Sequence, residues 1–258
     1  MKARAWATTD VGLKRDHNED SYLCNEAIGL FAVADGMGGH LGGERASHLA
    51  VEILEKEIEP QAATLTGSRG APEAGAESKS GLGPVAIALR EATRKAGSAI
   101  HAEAERNPQL SGMGTTLTSA FFHGDEVTIC HVGDSRVYLF RDGVARLLTE
   151  DHSWIQEQIK AGLVLPEDAI VARFRNIITR SVGFEPTVEP DLITLPVELG
   201  DCYVLCSDGL SNHLDEKEIA EVLTGAFYAE AGPVLVEKAN QKGGDDNITC
   251  VVVYIANE

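Results

Sequence analysis

Basic residues are scarce in this 258-residue chain: 22 Lys and Arg stand against 40 Asp and Glu, a net charge of −18. A field of that sign repels nucleic acid and anionic membrane, so neither is expected as a partner. Long hydrophobic runs are missing too. No stretch reaches the roughly 18 uninterrupted apolar residues of a membrane-crossing helix, and Met1–Asp10 lacks the apolar centre of a secretory signal. Cysteine is sparse: Cys24, Cys130, Cys202, Cys206 and Cys250, an odd number without Cys-x-x-Cys spacing. Four of them lie inside apolar runs, where a thiol serves as a small buried hydrophobe. This excludes a disulfide framework and points to a reduced, cytoplasmic protein.

Familiar catalytic signatures are absent as well. The eight histidines form no H-x-x-x-H or H-E-x-x-H pair, which argues against a zinc site. There is no G-x-S-x-G elbow, and neither Cys24 nor Cys206 has an adjacent basic residue to activate it as a nucleophile. The run from Gly36 to Gly43 suggests a phosphate cradle before a helix. It carries Leu41 where G-x-G-x-x-G needs glycine, and it lacks the Gly-Lys-Ser/Thr of a P-loop. Close approach of its backbone to a metal, with a carbonyl as ligand, explains its glycines better.

What the chain does have is a block order of strands and helices. Ala46, Leu49, Ala50, Ile53, Leu54 and Ile58 mark one amphipathic helix, and Val85, Leu89, Ala92, Ala96 and Ile100 a second. Between them Glu59–Pro84 is rich in Gly, Pro, Ala and Ser and is expected to be a flexible insertion loop. Strand-like runs follow at Thr115–Phe122, Glu126–Val132, Arg136–Arg141 and Ala145–Leu148, with turn residues at 123–125 and 142–143. Those short links predict an antiparallel meander. Ser153–Ala161 reads as a helix, Gly162–Gly183 as a mixed, basic segment with Arg173, Arg175 and Arg180. Strands at Asp191–Leu195, Cys202–Cys206 and Asn247–Ile255 enclose two short helices, one opening on a capping box at Asp215 and Glu218, the other with Pro233 near its first turn. Segregated blocks argue for α+β layers over a doubly wound parallel sheet.

Four aspartates sit where apolar strand-like runs meet glycine, serine or asparagine: Asp35, Asp134, Asp208 and Asp246. A lone Asp-Gly is ordinarily a turn, as at Asp142-Gly143. Asp35 and Asp208 differ because long apolar runs precede them, which places each carboxylate at the end of a buried strand. Carboxylates brought together repel by roughly 4 kcal/mol per pair at contact with an effective dielectric near 20. They must protonate or bind cations, and an oxygen-only donor set favours Mg²⁺ or Mn²⁺. Arg15, five residues ahead of Asp20, is either part of a solvated charged loop or placed for bidentate capture of a phosphate.

Taken in order, Arg-x-x-Asn-Glu-Asp (15–20), Ala-Asp-Gly-Met-Gly-Gly-His (34–40), Gly-Thr-Thr (114–116), Val-Gly-Asp-Ser-Arg (132–136), Ser-Asp-Gly-Leu (207–210) and Asp-Asp-Asn-Ile-Thr (245–249) span nearly the whole chain. The set resembles the bacterial branch of the PP2C (PPM) family of metal-dependent Ser/Thr protein phosphatases. The resemblance implies an α+β, four-layer sandwich, two antiparallel β-sheets flanked by α-helices, as a single domain over 1–258 with a flap-like segment at 162–183. It implies two core Mn²⁺ or Mg²⁺ ions. Asp35 would bridge them, Asp208 and Asp246 would complete one, and the carbonyl of Gly36 would ligate the other. Asp134 would hold a third, weaker ion. Glu19 and Asp20 would hold metal-bound waters, Arg15 the substrate phosphate, and Asn247 a supporting place. Metal-activated water would attack the phosphomonoester directly, without a phosphoenzyme.

The implied partners are phosphorylated Ser/Thr proteins and a cognate Ser/Thr kinase, with the phosphatase itself a monomer. Two rival classes stand beside this: a pseudophosphatase acting as a signalling or binding module, and a phosphatase of small phosphomonoesters. Intact Asp35, Asp208 and Asp246 weigh against the first. One departure concerns the general acid. Met37 stands where eukaryotic members carry a histidine, so the leaving group's proton is expected from metal-bound water, with His40 orienting the loop or a water.

Overall fold

The computed structural model describes residues 1–67, 82–165, 168, 170, 174 and 176–257, with the side chain of His40 outside the described residues. Two sheets form its centre. In one, strands β1 (Lys2–Asp10), β7 (Arg136–Arg141), β8 (Val144–Leu147), β10 (Cys202–Cys206) and β11 (Ile248–Ala256) lie in the order β1-β11-β10-β7-β8. In the other, β2 (Asp20–Asn25), β3 (Leu30–Met37), β5 (Leu117–His123), β6 (Glu126–Val132) and β9 (Asp191–Pro196) lie in the order β2-β3-β5-β6-β9, with the short β4 (Gly114–Thr115) paired to β3. The named strands pair antiparallel throughout.

Strand periodicity explains the layering. Successive side chains point to opposite faces, and here both faces are buried. In β3, Phe31 and Val33 face the opposing sheet, while Leu30, Ala32 and Ala34 face helices α1 (His40–Ile58) and α3 (Pro84–Arg106). In β10, Tyr203 and Leu205 point into the inter-sheet core. Cys202, Val204 and Cys206 point the other way, onto α6 (Glu216–Gly225) and α7 (Tyr228–Gln241). Helices, sheet, sheet and helices therefore stack as four layers. The runs read as continuously apolar because neither side meets water. The cysteines are free, and all but Cys24 are buried.

Four expectations need correction. First, Glu59–Pro84 is not a loop from its first residue: Glu59–Gln61 is a 3₁₀ turn and α2 (Ala62–Gly67) follows, with Ala62 and Leu65 buried against the α1/α3 core. Residues 68–81 lie outside the described residues. Second, the run from 115 to 148 is not one meander. The hairpins β5-β6 and β7-β8 belong to different sheets, and the short link Gly133–Ser135 crosses between them. Turn length alone specified a reversal, not the sheet it reverses into. Third, Pro233 lies inside α7, which begins at Tyr228. The buried Ala231, Leu235 and Val236 hold the helix across the missing N–H. Fourth, β1 and β2 have no counterpart among the expected strands. Ala3, Ala5 and Ala7 face the inter-sheet core from β1, but alanine carries too little apolar area to stand out in a sequence. The capping box is formed: Asp215 accepts from Glu218 N–H at 2.9 Å, and Glu218 accepts from Asp215 N–H at 3.3 Å. Among the described residues no helix is long and apolar enough to cross a membrane.

Candidate metal centre

The sandwich ends in an acidic rim to which both sheets contribute. β3 continues past its apolar stretch to deliver Asp35 and Gly36, and the β2–β3 register sets Asp20 opposite Asp35. From the other sheet, β10 stops at Cys206, and Ser207 precedes, without a side-chain capping bond, the four-residue helix α5 (Asp208–Ser211) on which Asp208 stands first. Asp246 and Asn247 immediately precede β11. Asp134 comes from neither sheet; it sits on the link between them. Ser207 Oγ joins the halves, donating to Asp20 Oδ2 at 2.8 Å.

Burial and mutual repulsion dominate the electrostatics here. The Asp35 carboxyl is pushed well above the ordinary carboxylate range, first by burial and then by Asp20, Asp208, Asp134 and Asp246. Asp20 is raised to about 7 by burial, and Thr249 and Ser207 oppose the shift through hydrogen bonds. Asp134 is raised to about 8, again by burial first and then by Asp208 and Asp151. Oδ1 of Asp20 and Oδ1 of Asp134 are buried with no hydrogen-bond partner. Asp208 Oδ2 accepts from Asn212 at 2.9 Å.

Among the described residues no three or more acidic, histidine or cysteine side chains are drawn into a closed coordination geometry. The donor chemistry nonetheless fits a hard divalent cation. Every contributing group is an oxygen, the negative charges raise one another's proton affinity, and two buried oxygens await a partner. A nearby cation would reverse each of those penalties at once.

The neighbours of Asp35 hold its backbone rather than its carboxylate. Asp35 N–H donates to Thr116 Oγ1 at 2.8 Å, and Thr115 Oγ1 donates to the Asp35 carbonyl at 2.9 Å. Thr116 Oγ1 also meets Ser135 Oγ at 2.7 Å, linking Asp35 to the Asp134 crossover. These hydroxyl residues lie in motifs noticed in the sequence, but nothing there told their task. The glycines at 36 and 43 also answer to packing. A Cβ on Gly36 would lie 2.1 Å from the Gly43 carbonyl oxygen and 2.5 Å from that of Glu19. One on Gly43 would strike the Glu19 carboxylate at 1.8 Å. Protein packing by itself forbids side chains at these two positions.

Arg15 reaches the rim. Its Nη2 donates to Asp246 Oδ2 at 2.8 Å, with about half of its side chain exposed. The loop that carries it is stapled by Asn247: Nδ2 donates to the carbonyls of Val11 and His17, each at 2.9 Å, and Oδ1 accepts from Glu19 N–H at 2.8 Å. Sequence reasoning gave Asn247 only a supporting place. One amide closing three bonds to a segment 230 residues away is visible only in the fold. Met37 lines a cavity of about 480 Å³ with Ile178, Arg180, Phe184 and Val188. Arg180 is tied to Asp191 Oδ1 at 2.7 Å and to the Glu189 carbonyl at 3.2 Å. Arg173 and Arg175 lie outside the described residues. A larger cavity, about 690 Å³ between α1, α2 and α3, is remote from the carboxylates.

Fold and site together define a class: a four-layer α+β sandwich with an all-oxygen acidic centre where its two sheets meet. The family model for protein phosphatase 2C matches residues 14–243, and the chain belongs to that family. It is 37% identical over 249 residues to the serine/threonine phosphatase Stp of Listeria monocytogenes, covering 95% of this chain and 93% of that protein. Against the serine/threonine protein phosphatase PstP of Mycobacterium tuberculosis the identity is 38% over 252 residues, 97% of this chain and 45% of that longer protein. The crystal structure of Mycobacterium tuberculosis PstP superposes with a TM-score of 0.84 at 38% identity over 100% of both chains. A structure of the PstP catalytic domain in complex with two manganese ions gives 0.81 at 37% identity, covering 99% of each chain.

Proposed function

We propose that residues 1–258 form one phosphatase domain that removes phosphate from phosphoserine and phosphothreonine in proteins, with Mn²⁺ or Mg²⁺ as cofactor. The observation that carries this reading is the rim itself. Asp35 lies half-buried beside Asp20, Asp208, Asp134 and Asp246, which raise its proton affinity, a cost that bound cations would offset, in a chain of the protein phosphatase 2C family. Asp35, Asp208, Asp246 and the Gly36 carbonyl would hold two core ions, and Asp134 a third. Asp20 and Glu19 would stand behind them and orient bound water. Bound divalent ions would supply Lewis acidity and a water nucleophile active at neutral pH.

The chain's own groups then do the rest. Thr115 and Thr116 hold the Asp35 backbone, so the place from which its carboxylate projects is fixed before any ligand arrives. Arg15 bonds Asp246 Oδ2 through its guanidinium, and with that carboxylate engaged on a cation the half-exposed fork would be available to two phosphate oxygens. There it would neutralise charge gathering on the equatorial oxygens in the transition state. The reverse role, removing what a cognate Ser/Thr kinase adds, and action as a monomer belong to the same proposal.

The test is hydrolysis of a phosphothreonine peptide beside a sugar phosphate, with and without Mn²⁺. Turnover of the peptide alone, lost on exhaustive chelation and restored by metal, is the expected result. Turnover that survives chelation sinks the metal-dependent reading, and preference for the sugar phosphate sinks the protein-substrate reading.

A further inference from the structure

Asp134 rides a three-residue passage between the sheets, and its surroundings are tied down on both sides. Gly133 is gripped twice by one residue. Its N–H donates to His152 Nδ1 at 3.1 Å, and its carbonyl accepts from His152 N–H at 2.8 Å. Gly133 has φ +110, and a Cβ there would meet Thr116 Cγ2 at 2.5 Å, so the passage lies flat against Thr116. Beyond Asp134, Arg136 forms a two-pronged pair with Asp151: Nε to Oδ1 at 2.9 Å and Nη2 to Oδ2 at 2.7 Å. The consecutive residues Asp151 and His152 thus hold both ends of the passage. Between them the Asp134 carboxylate keeps a buried Oδ1 with no hydrogen-bond partner.

The imidazole is oriented, not merely packed. Because Nδ1 accepts a hydrogen bond, the neutral ring carries its proton on Nε2, which faces Asp191 Oδ2 at 3.2 Å. Arg180 Nη1 lies 3.1 Å from the same Nε2 and donates to Asp191 Oδ1 at 2.7 Å. The His152 carbonyl accepts from Thr179 N–H at 2.8 Å. The ring lies against His131, centroids 4.7 Å apart, and His131 is held by Thr118 Oγ1 at 2.9 Å and the Glu150 carbonyl at 3.0 Å.

We propose that Asp151 and His152 form a positioning clamp that aims the Asp134 carboxylate at its cation and couples that aim to the segment from Thr179 to Asp191. The inference rests on the reading of Asp134 as a cation ligand given above. Neither clamp residue has to touch substrate or ion. A carboxylate on an untethered link must be ordered when the ion binds, and that ordering lowers affinity. A link held at both ends arrives ordered, and loss of such outer partners typically weakens metal binding about 10- to 100-fold.

Calorimetric titration of the full chain with Mn²⁺ tests this. His152→Ala is expected to weaken the weakest Mn²⁺-binding step by about tenfold or more and leave the tighter steps within about twofold. His152→Asn, whose Oδ1 still accepts from Gly133 N–H, should restore the step, as simple loss of packing would not allow. In an Asp134→Asn background, His152→Ala should change nothing further. Wild-type binding by His152→Ala, equal weakening of every step, or failure of the Asn rescue overturns the clamp alone, provided Asp134→Asn itself alters a step. If Asp134→Asn alters none, the ligand reading falls and the clamp with it. Should His152→Ala not fold, Asp151→Asn carries the same expectation through the Arg136 pair, and an unaltered weakest step there overturns the proposal.

Discussion

Strand β3 holds two kinds of burial side by side. From Leu30 to Ala34 every residue is apolar and without exposed surface; one step on, Asp35 is half-buried and carries a carboxylate raised by its desolvation and by the acidic groups around it. The interior half gains from leaving water, about 25 cal/mol per Å² of apolar surface. The rim half loses by it, since desolvation and repulsion both disfavour its charge. The same division recurs where β10 ends at Cys206, two residues before Asp208, and where Asp246 leads into β11. Stability and chemistry therefore occupy different stretches of the same strands, and the first holds the second in an unfavourable arrangement.

Mutations at the two ends of that comparison should part most widely at Asp35. Asp35→Asn is expected to lower kcat on a phosphothreonine peptide by at least about 10³-fold, several kcal/mol of transition-state stabilisation. The metal-free protein should at the same time melt no lower than wild type, because one repelling charge is gone. A variant that turns over normally, or that unfolds, breaks the contrast. Leu205→Ala, in the inter-sheet core, should do the opposite. It should cost roughly 2–5 kcal/mol in urea unfolding and leave the kcat of the folded fraction near normal.

Arg15→Ala probes the rim at its solvent edge. It should raise KM and weaken inhibition by inorganic phosphate, by roughly 2–3 kcal/mol for a charge-assisted pair. Unchanged constants would return Arg15 to the role of an ion-pair partner for Asp246. The smallest expected effect is on pH dependence. Asp20 and Asp134, raised to about 7 and about 8, keep protons in the folded chain that the unfolded chain releases near 3.8. Between those limits the folded state binds more protons, so metal-free stability falls as pH rises. His131, pushed down to about 4 by burial, works in the other direction below its ordinary 6.5. The carboxylates are thus unopposed by it from about 6.5 to 8, and the metal-free protein should lose roughly 1–2 kcal/mol across that interval. Mn²⁺ should flatten the loss by replacing the protons; a slope that metal leaves untouched would detach these carboxylates from cation binding.

Much of this was legible in the chain, for reasons that differ by residue. Glu126–Val132, Arg136–Arg141 and Cys202–Cys206 coincide with β6, β7 and β10 because long apolar runs bounded by turn residues carry their own limits. Asp35 and Asp208 stood out because a carboxylate ending such a run has no ordinary packing role, and Asp246 because it opens another. Composition and periodicity, being properties of neighbours along the chain, determined the layered α+β character, the two amphipathic helices and the acidic candidates. Tertiary structure alone decided which sheet each hairpin joins, and that Asp134 is carried across the gap between them. It decided, too, that Glu59–Gln61 and Ala62–Gly67 turn helical to bury Ala62 and Leu65, and that Arg15 meets Asp246. Those outcomes depend on contacts between residues up to 231 positions apart, whose pairing is set by how the two sheets close on their shared core rather than by any local preference.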